Sequence, residues 1–342
     1  MPEVIVVSCL YMVENNEMEA YYQAMIENLT ELDEVFAEGY PIDRIEEYVT
    51  KMPLKTYDYQ SELNLPLYRA RYDDGFNNTD SNQFGYIHNL DLIGVYRYNK
   101  AHEAVLYTST DPITAFKEIR QERKPDSIYI SVWMPVNEDC VLNMALNVNG
   151  TGLKEGSNAW RFHQILRDNT GAGSLEYRYL SELGRLLEKP GSDYRCSSII
   201  ASQLFQTHDA LMTTSMKSEG KELNVTFNQN AADRLLDIKY VYHCPVPQNL
   251  VISALEVTEI GVTHDGKIVW HPWEVDFGSI HLSPDCINPV YLPDLREAVR
   301  TGSGISQCVL KPNVNKAPTA EHDGVVVYNG EMYHVRFRIR LG

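Results

Sequence analysis

The sequence predicts an α+β fold with helices first, a mixed core of strands and helices, and a strand-rich end. Three observations predict it. Apolar residues recur at helical spacing near the start, at Met18, Tyr22, Met25, Ile26, Leu29 and Leu32. Short strand-like runs then alternate with helical patterns between Leu65 and Phe227. Two hairpin dipeptides, Asp265-Gly266 and Asn329-Gly330, lie between apolar runs further on. These shifts divide the chain into a helical segment 1–60, a middle domain 61–240 and a strand-rich extension 241–342.

The first helix is expected over 15–39, capped by Asn15 or Asn16, with Glu17 and Glu19 in its first turn. Gly39 and Pro41 should end it. A shorter helix follows from Asp43 to Met52 and stops at Pro53. LPLYRARY (Leu65 to Tyr72) reads as a strand. The polar stretch DDGFNNTDSN, Asp73 to Asn82, reads as a long mobile loop. AVLYTST is strand-like, and DPITAFKEIRQER is helical, with Asp111 as cap and Pro112 at the first helical position. SIYISVWMPV is a strand. SSIIASQLFQTHD is a helix opened by Ser197 or Ser198, and ELNVTF is a late strand. In the last hairpin, Val335, Phe337, Ile339 and Leu341 alternate with His334, Arg336, Arg338 and Arg340. That is one apolar and one basic face, read as a half-exposed strand whose charges discourage edge pairing.

The net charge of -17 argues against a nucleic-acid-binding surface, which is normally basic. It leaves room for a local basic pocket. The six cysteines form no Cys-x-x-Cys pair, so they are read as reduced thiols rather than a zinc or disulfide framework. The start, MPEVIVVSCLYMV, lacks the charged region and cleavage site of a signal peptide. No apolar run approaches the ~20 residues that span a bilayer. A soluble, cytoplasmic protein without membrane or nucleic-acid partners is expected. No metal is expected either, since the ten histidines show no His-x-x-x-His spacing beside an acid. No glycine-rich dinucleotide or P-loop motif is present.

Several separated pieces carry the chemistry. They are Tyr68-Arg69, Arg97-Tyr98-Asn99, Val105-Leu106-Tyr107, Thr114-Ala115 with Glu118, and Ser215 with Gly220 and Asn224. In this order they resemble the RES domain family, named for its arginine, glutamate and serine. The resemblance covers roughly residues 61–240. The sequence departs from the pattern at Tyr96, where the family usually has glycine, and in the long span between Glu118 and Ser215. The resemblance implies an ADP-ribosyltransferase-like core and chemistry on NAD as substrate: hydrolysis, phosphorolysis or transfer of ADP-ribose to a protein. It also implies a toxin role, with an antitoxin as protein partner. The alternative from another class is a catalytically silent module that binds NAD or ADP-ribose, motivated by the departure at Tyr96 and the large flanking segments.

The residue types suit that chemistry. Breaking the nicotinamide–ribose bond builds positive charge on the ribose, which a fixed carboxylate stabilises. Glu118 is the candidate, sharing a helix face with the small Thr114 and Ala115. The NAD pyrophosphate favours planar bidentate donors, here Arg69 and Arg97. Tyr68, Tyr98 and Tyr107 offer faces on which nicotinamide or adenine can stack, as does Tyr72. Ser215, Asn99 and Asn224 would contact phosphate or ribose hydroxyls.

Each residue also has a plainer reading. Glu118 taken alone is a solvated helix carboxylate, and Arg69 and Arg71 are the basic face of a strand. Ser215 is an ordinary turn serine, and Asn224 a residue bonding its own backbone. His163 and His208 are general-base candidates that nothing in the sequence separates. Trp270 and Trp273 read as packing.

Overall fold

The computed structural model describes residues 3–37, 41–52, 54–62, 66–119, 126–137, 140–189, 193–246, 257–284, 290, 292–310 and 316–341. The fold is α+β. The chain forms two compact units built from alternating segments. Unit 1 comprises Met1–Leu67, Gly85–Thr110 and Met134–Asp237; unit 2 comprises Tyr68–Phe84, Asp111–Trp133 and Ile238–Gly342.

Unit 1 opens with α1 (Glu3–Ala37) and α2 (Ile42–Lys51). The start of α1 corrects the expectation of a cap at Asn15 or Asn16, since both lie inside the helix. Once nucleated, a helix propagates through residues of modest propensity, and the apolar run before Asn15 continues it. Met25, Leu29 and Leu32 form its buried stripe. The expected terminator Gly39 lies outside the described residues.

Five strands follow in unit 1: β1 (Tyr57–Glu62), β3 (Val105–Ser109), β5 (Val141–Asn147), β6 (Ala210–Thr214) and β7 (Leu223–Asn228). Their spatial order is β1-β5-β6-β7-β3. Only β5 and β6 pair in parallel; the other pairs are antiparallel. A parallel pair needs a crossover. It is supplied by α4 (Asn158–Thr170), α5 (Leu175–Leu187) and α6 (Arg195–Leu204). Ser157 and Ser174 cap the first two, accepting from the N–H of Trp160 and Tyr177. The cap expected at Ser197 or Ser198 on α6 is corrected to Tyr194. Both serines already sit in the first turn, where their hydroxyls donate back to the carbonyls of Tyr194 and Arg195. A short α7 (Gln229–Leu235) closes the unit.

Unit 2 carries β2 (Leu67–Tyr72), α3 (Pro112–Glu118), β4 (Ser127–Pro135) and β8 (Leu236–Pro245), then the β9 (Glu259–His264) and β10 (Lys267–Pro272) hairpin. These strands run in the order β2-β4-β8-β9-β10. As expected, Asp111 caps α3, its carboxylate accepting the Thr114 N–H at 2.7 Å. The expected continuation of this helix beyond Ile119 lies outside the described residues. A second sheet, β11-β14-β13-β12, is built from β11 (Glu274–Leu282), β12 (Ile305–Val309), β13 (His322–Tyr328) and β14 (Glu331–Arg340), with α8 (Leu292–Thr301) in the same unit.

Both predicted hairpins form. Asp265 and Gly266 take φ 47° and 72°, and Asn329 and Gly330 take 50° and 83°. These are the positive values a two-residue turn requires. On β14, Val335, Phe337 and Ile339 are buried. β14 pairs with β11 and β13, so its charges guard no sheet edge, contrary to the expectation; its arginines instead meet carboxylates on those neighbours, Arg336 with Asp323 at 3.7 Å and Arg340 with Asp276 at 3.5 Å.

The loop expected to be mobile is instead pinned within unit 2. The Arg71 guanidinium donates to the Gln83 carbonyl and lies 3.9 Å from the Phe76 ring centroid. Phe76 packs edge-on against Phe84 and Tyr129, and Asn78 donates to the Tyr129 hydroxyl. Aromatic side chains from distant strands thus hold a segment that its polar composition reads as free. Trp270 joins the same cluster and Trp273 packs against Phe337, so both tryptophans are partly buried packing residues. No helix among the described residues is long and apolar enough to cross a membrane.

Candidate functional site

In unit 1 the turn Tyr96–Asn99 closes on itself, with the Tyr96 N–H reaching the Asn99 carbonyl at 3.1 Å. Asn99 is the anchor of this turn. Its Nδ2 donates to the carbonyls of Gly94 and Lys100 at 3.0 and 2.9 Å. Its Oδ1 accepts the Tyr107 hydroxyl at 3.0 Å, and that hydroxyl accepts the Tyr98 N–H at 2.9 Å. The Tyr98 and Tyr107 rings stack, their centroids 5.9 Å apart. Tyr98 is buried and donates its hydroxyl to Thr213 at 3.0 Å. Tyr96 does not adopt a positive φ, so the turn has no need of the glycine that the family pattern carries there.

Arg97 is half-buried and points at the carboxyl end of α5. Its Nη1 donates to the carbonyls of Lys189 and Leu187 at 3.0 and 3.4 Å, and its guanidinium lies 5.1 Å from the Tyr194 ring centroid. A cation there satisfies carbonyls that the helix leaves open. Between those two carbonyls sits Glu188, which the sequence reading missed. It is 5% exposed, and its carboxylate accepts the Thr214 N–H at 2.7 Å. Burial pushes its carboxyl up to about 7, against hydrogen bonds from Thr214 and the Asn149 N–H and against the charge of Arg97. The sequence held a signal for it. Leu180, Leu183, Gly184 and Leu187 are buried on one face of α5, and Glu188 continues that face one turn beyond Gly184.

Ser215 follows β6 and is fully buried. Its Oγ accepts the Lys217 N–H at 3.2 Å, and its carbonyl accepts the Ser218 hydroxyl at 3.0 Å. Gly220, at φ +74°, completes this turn; a Cβ there would stand 2.3 Å from the Gly152 carbonyl oxygen. Asn224 is half-buried on β7, opposite Thr213 on one side and Ser109 on the other.

Unit 2 holds the remaining candidates. Tyr68 is fully buried in the apolar core with Phe116, Ile130 and Phe337. Burial, and then the negative charge of Asp111, push its hydroxyl well above the ordinary tyrosine range, so it stays neutral. Arg69 is half-buried on β2, its carbonyl accepting the Ser131 hydroxyl at 3.3 Å. Glu118 is the last residue of α3 and is half-buried, while Thr114 and Ala115 on the same face are buried. A carboxylate at a helix carboxyl end gains nothing from the helix dipole, so helix stability is not the reason for a glutamate here.

The two histidines are engaged inside unit 1. His163 Nε2 meets the Tyr177 hydroxyl at 2.9 Å, and burial lowers the pKa of this ring. His208 Nε2 lies 2.8 Å from Asp58, and its Nδ1 lies 2.9 Å from the Thr207 hydroxyl. His208 lines an open groove of about 620 Å³ with Lys100, Asp209 and Arg234. Those charges are paired locally, Lys100 with Glu46 at 2.9 Å and Arg234 with Asp209 at 2.6 Å.

Compared with protein-family models and with curated proteins, the chain matches none.

Proposed function

We propose that the protein is an NAD-consuming enzyme that cleaves the nicotinamide–ribose bond by hydrolysis or phosphorolysis. One observation carries most of this reading. The carboxyl ends of the parallel pair β5 and β6 have Tyr98 beside them and Ser215 immediately after. Arg97 supplies a fixed cation in the adjoining turn, suited to a pyrophosphate. The family resemblance, and not the geometry of unit 1, assigns Arg69 on β2 to a phosphate and Glu118 on α3 to the oxocarbenium-like ribose. Ser215 and Asn224 contact ribose or phosphate, and Tyr107 completes the aromatic wall.

The test is nicotinamide release from NAD by purified protein in phosphate buffer. Glu118→Gln should reduce release at least ~100-fold, as loss of a single electrostatic stabiliser does. Arg69→Ala should raise the NAD concentration required. Release unchanged in Glu118→Gln would overturn the catalytic assignment.

A second reading, transfer of ADP-ribose onto a protein, is favoured by one feature. Ile87, Leu90, Leu92, Val95 and Tyr96 are exposed large apolar residues leading into the Arg97 turn, Leu92 at 69%. Such a run suits contact with a protein, whether acceptor or antitoxin. With labelled NAD, label that stays soluble supports hydrolysis or phosphorolysis, and label that becomes protein-bound supports transfer. A cytoplasmic toxin role rests on family analogy alone. It predicts slowed growth on expression, relieved by Glu118→Gln.

A further inference from the structure

One buried titratable group in unit 1 touches the supports of both Arg97 and Ser215 and has no part in bond cleavage. Glu188 lies just beyond α5, between Leu187 and Lys189. The carbonyls of those two residues accept from Nη1 of Arg97 at 3.4 and 3.0 Å. The Glu188 carboxylate accepts the Thr214 N–H at 2.7 Å, one residue before Ser215. Arg97 uses only this one nitrogen. Its Nε and Nη2 have no hydrogen-bond partner among the described residues, and the side chain is half-buried. Those N–H groups suit an anion such as a pyrophosphate.

Glu188 is 5% exposed, so water screens its interaction with Arg97 only weakly. Burial pushes its carboxyl up to about 7, so it changes charge across the neutral range. Hydrogen bonds from Thr214 on β6 and from the Asn149 N–H beyond β5 act against burial, as does the charge of Arg97. The cations on its own element are directed elsewhere. Lys189 and Arg185 meet Asp33 on α1 at 2.6 and 3.1 Å. At the start of α6, Arg195 meets Asp193 at 2.5 Å, and the Tyr194 ring lies against the Arg97 guanidinium.

We propose that Glu188 is a positioning residue that makes anion binding at Arg97 depend on pH. With the Glu188 carboxyl protonated, Arg97 presents its full charge to a pyrophosphate. With the carboxyl ionised, that charge is partly cancelled. This inference rests on the reading of the protein as an NAD enzyme and names the regulation of that same site. Coupling between two sites is reciprocal, so the proton and the anion promote each other's binding. A pyrophosphate beside Arg97 therefore binds more tightly below pH 7 than above it, and near pH 7 it draws a proton onto Glu188. An amide in place of the carboxyl still accepts the Thr214 N–H and cannot ionise, so it behaves as the protonated wild type.

The experiment is calorimetric titration of the full chain with ADP-ribose, whose pyrophosphate keeps a constant charge between pH 6 and 8. Wild-type protein should bind at least ~5-fold more weakly at pH 8 than at pH 6, the lower end of coupling between two sites. At pH 7, titrations in two buffers of different ionisation enthalpy should show net proton uptake on binding. Glu188→Gln should bind equally at both pH values, within about twofold of wild type at pH 6, and take up no proton. Glu188→Met, uncharged and of similar volume, gives the same comparison if the amide is not tolerated. Wild-type binding that does not change with pH overturns the inference. So does a pH dependence that persists undiminished in the variants. Either result leaves the NAD reading standing, whereas no ADP-ribose binding by wild type at either pH overturns both.

Discussion

Glu188 is the residue whose behaviour the tertiary structure changes most. Burial raises its folded-state pKa from an ordinary 4.5 to about 7. Between those values the folded chain retains a proton that the unfolded chain has released. Stability contributed this way is full below pH ~4.5, falls as pH rises towards 7, and is then lost. The shift corresponds to about 3 kcal/mol across that window. Glu188→Gln keeps an acceptor for the Thr214 N–H and cannot ionise. Urea unfolding between pH 4.5 and 8 should therefore show a flatter stability profile for the variant and a relative gain at pH 8. Parallel profiles would contradict the burial argument. Asn99 makes the opposite case, a residue nominated as a ligand contact whose side chain organises its own turn. Asn99→Ala removes three internal hydrogen bonds at a 1%-exposed site. It should cost about 2–4 kcal/mol in the same unfolding measurement.

At the scale of elements, local signals were read well wherever they act through backbone dihedrals or nearest neighbours. The two Xaa-Gly dipeptides form hairpins because Asn, Asp and Gly tolerate the positive φ the turn demands. Asp111 and Pro112 start α3 as an N-cap and a preset first residue. Asp111→Ala should cost about 1 kcal/mol, read as a lower thermal midpoint. The alternation on β14 named the buried residues Val335, Phe337 and Ile339. Misreadings arose where a local signal competed with something stronger. Asn15 and Asn16 can cap a helix, yet α1 runs through them to Glu3. Ser197 and Ser198 can cap α6, yet they bond back within its first turn. The polar segment 73–82 has a loop's composition, yet Phe76, Asn78 and Arg71 tie it down.

For the whole molecule, the interleaving of the units has a testable consequence. Unit 2 takes β2 and α3 from the middle of the sequence and most of its remaining strands from beyond Ile238. Its core joins Tyr68, Phe116 and Ile130 to Val335 and Phe337. A fragment ending at residue 240 therefore strips the apolar partners from β2, α3 and β4. It should be poorly soluble and lack a cooperative thermal transition by circular dichroism. A fragment 1–240 that melts cooperatively with native-like signal would show that the middle of the chain folds without the end.

The sequence by itself determined the α+β class, the two hairpins, the α3 cap and the inward face of β14. Each of these depends on residues within a few positions of one another. Tertiary structure alone decided that segments far apart in the chain build one core. It also decided that residues 73–82 are pinned and that Glu188 is buried beside Arg97. Burial and pairing depend on which distant strands and helices arrive at the same place. A dihedral preference or a periodicity reports only on its own few residues.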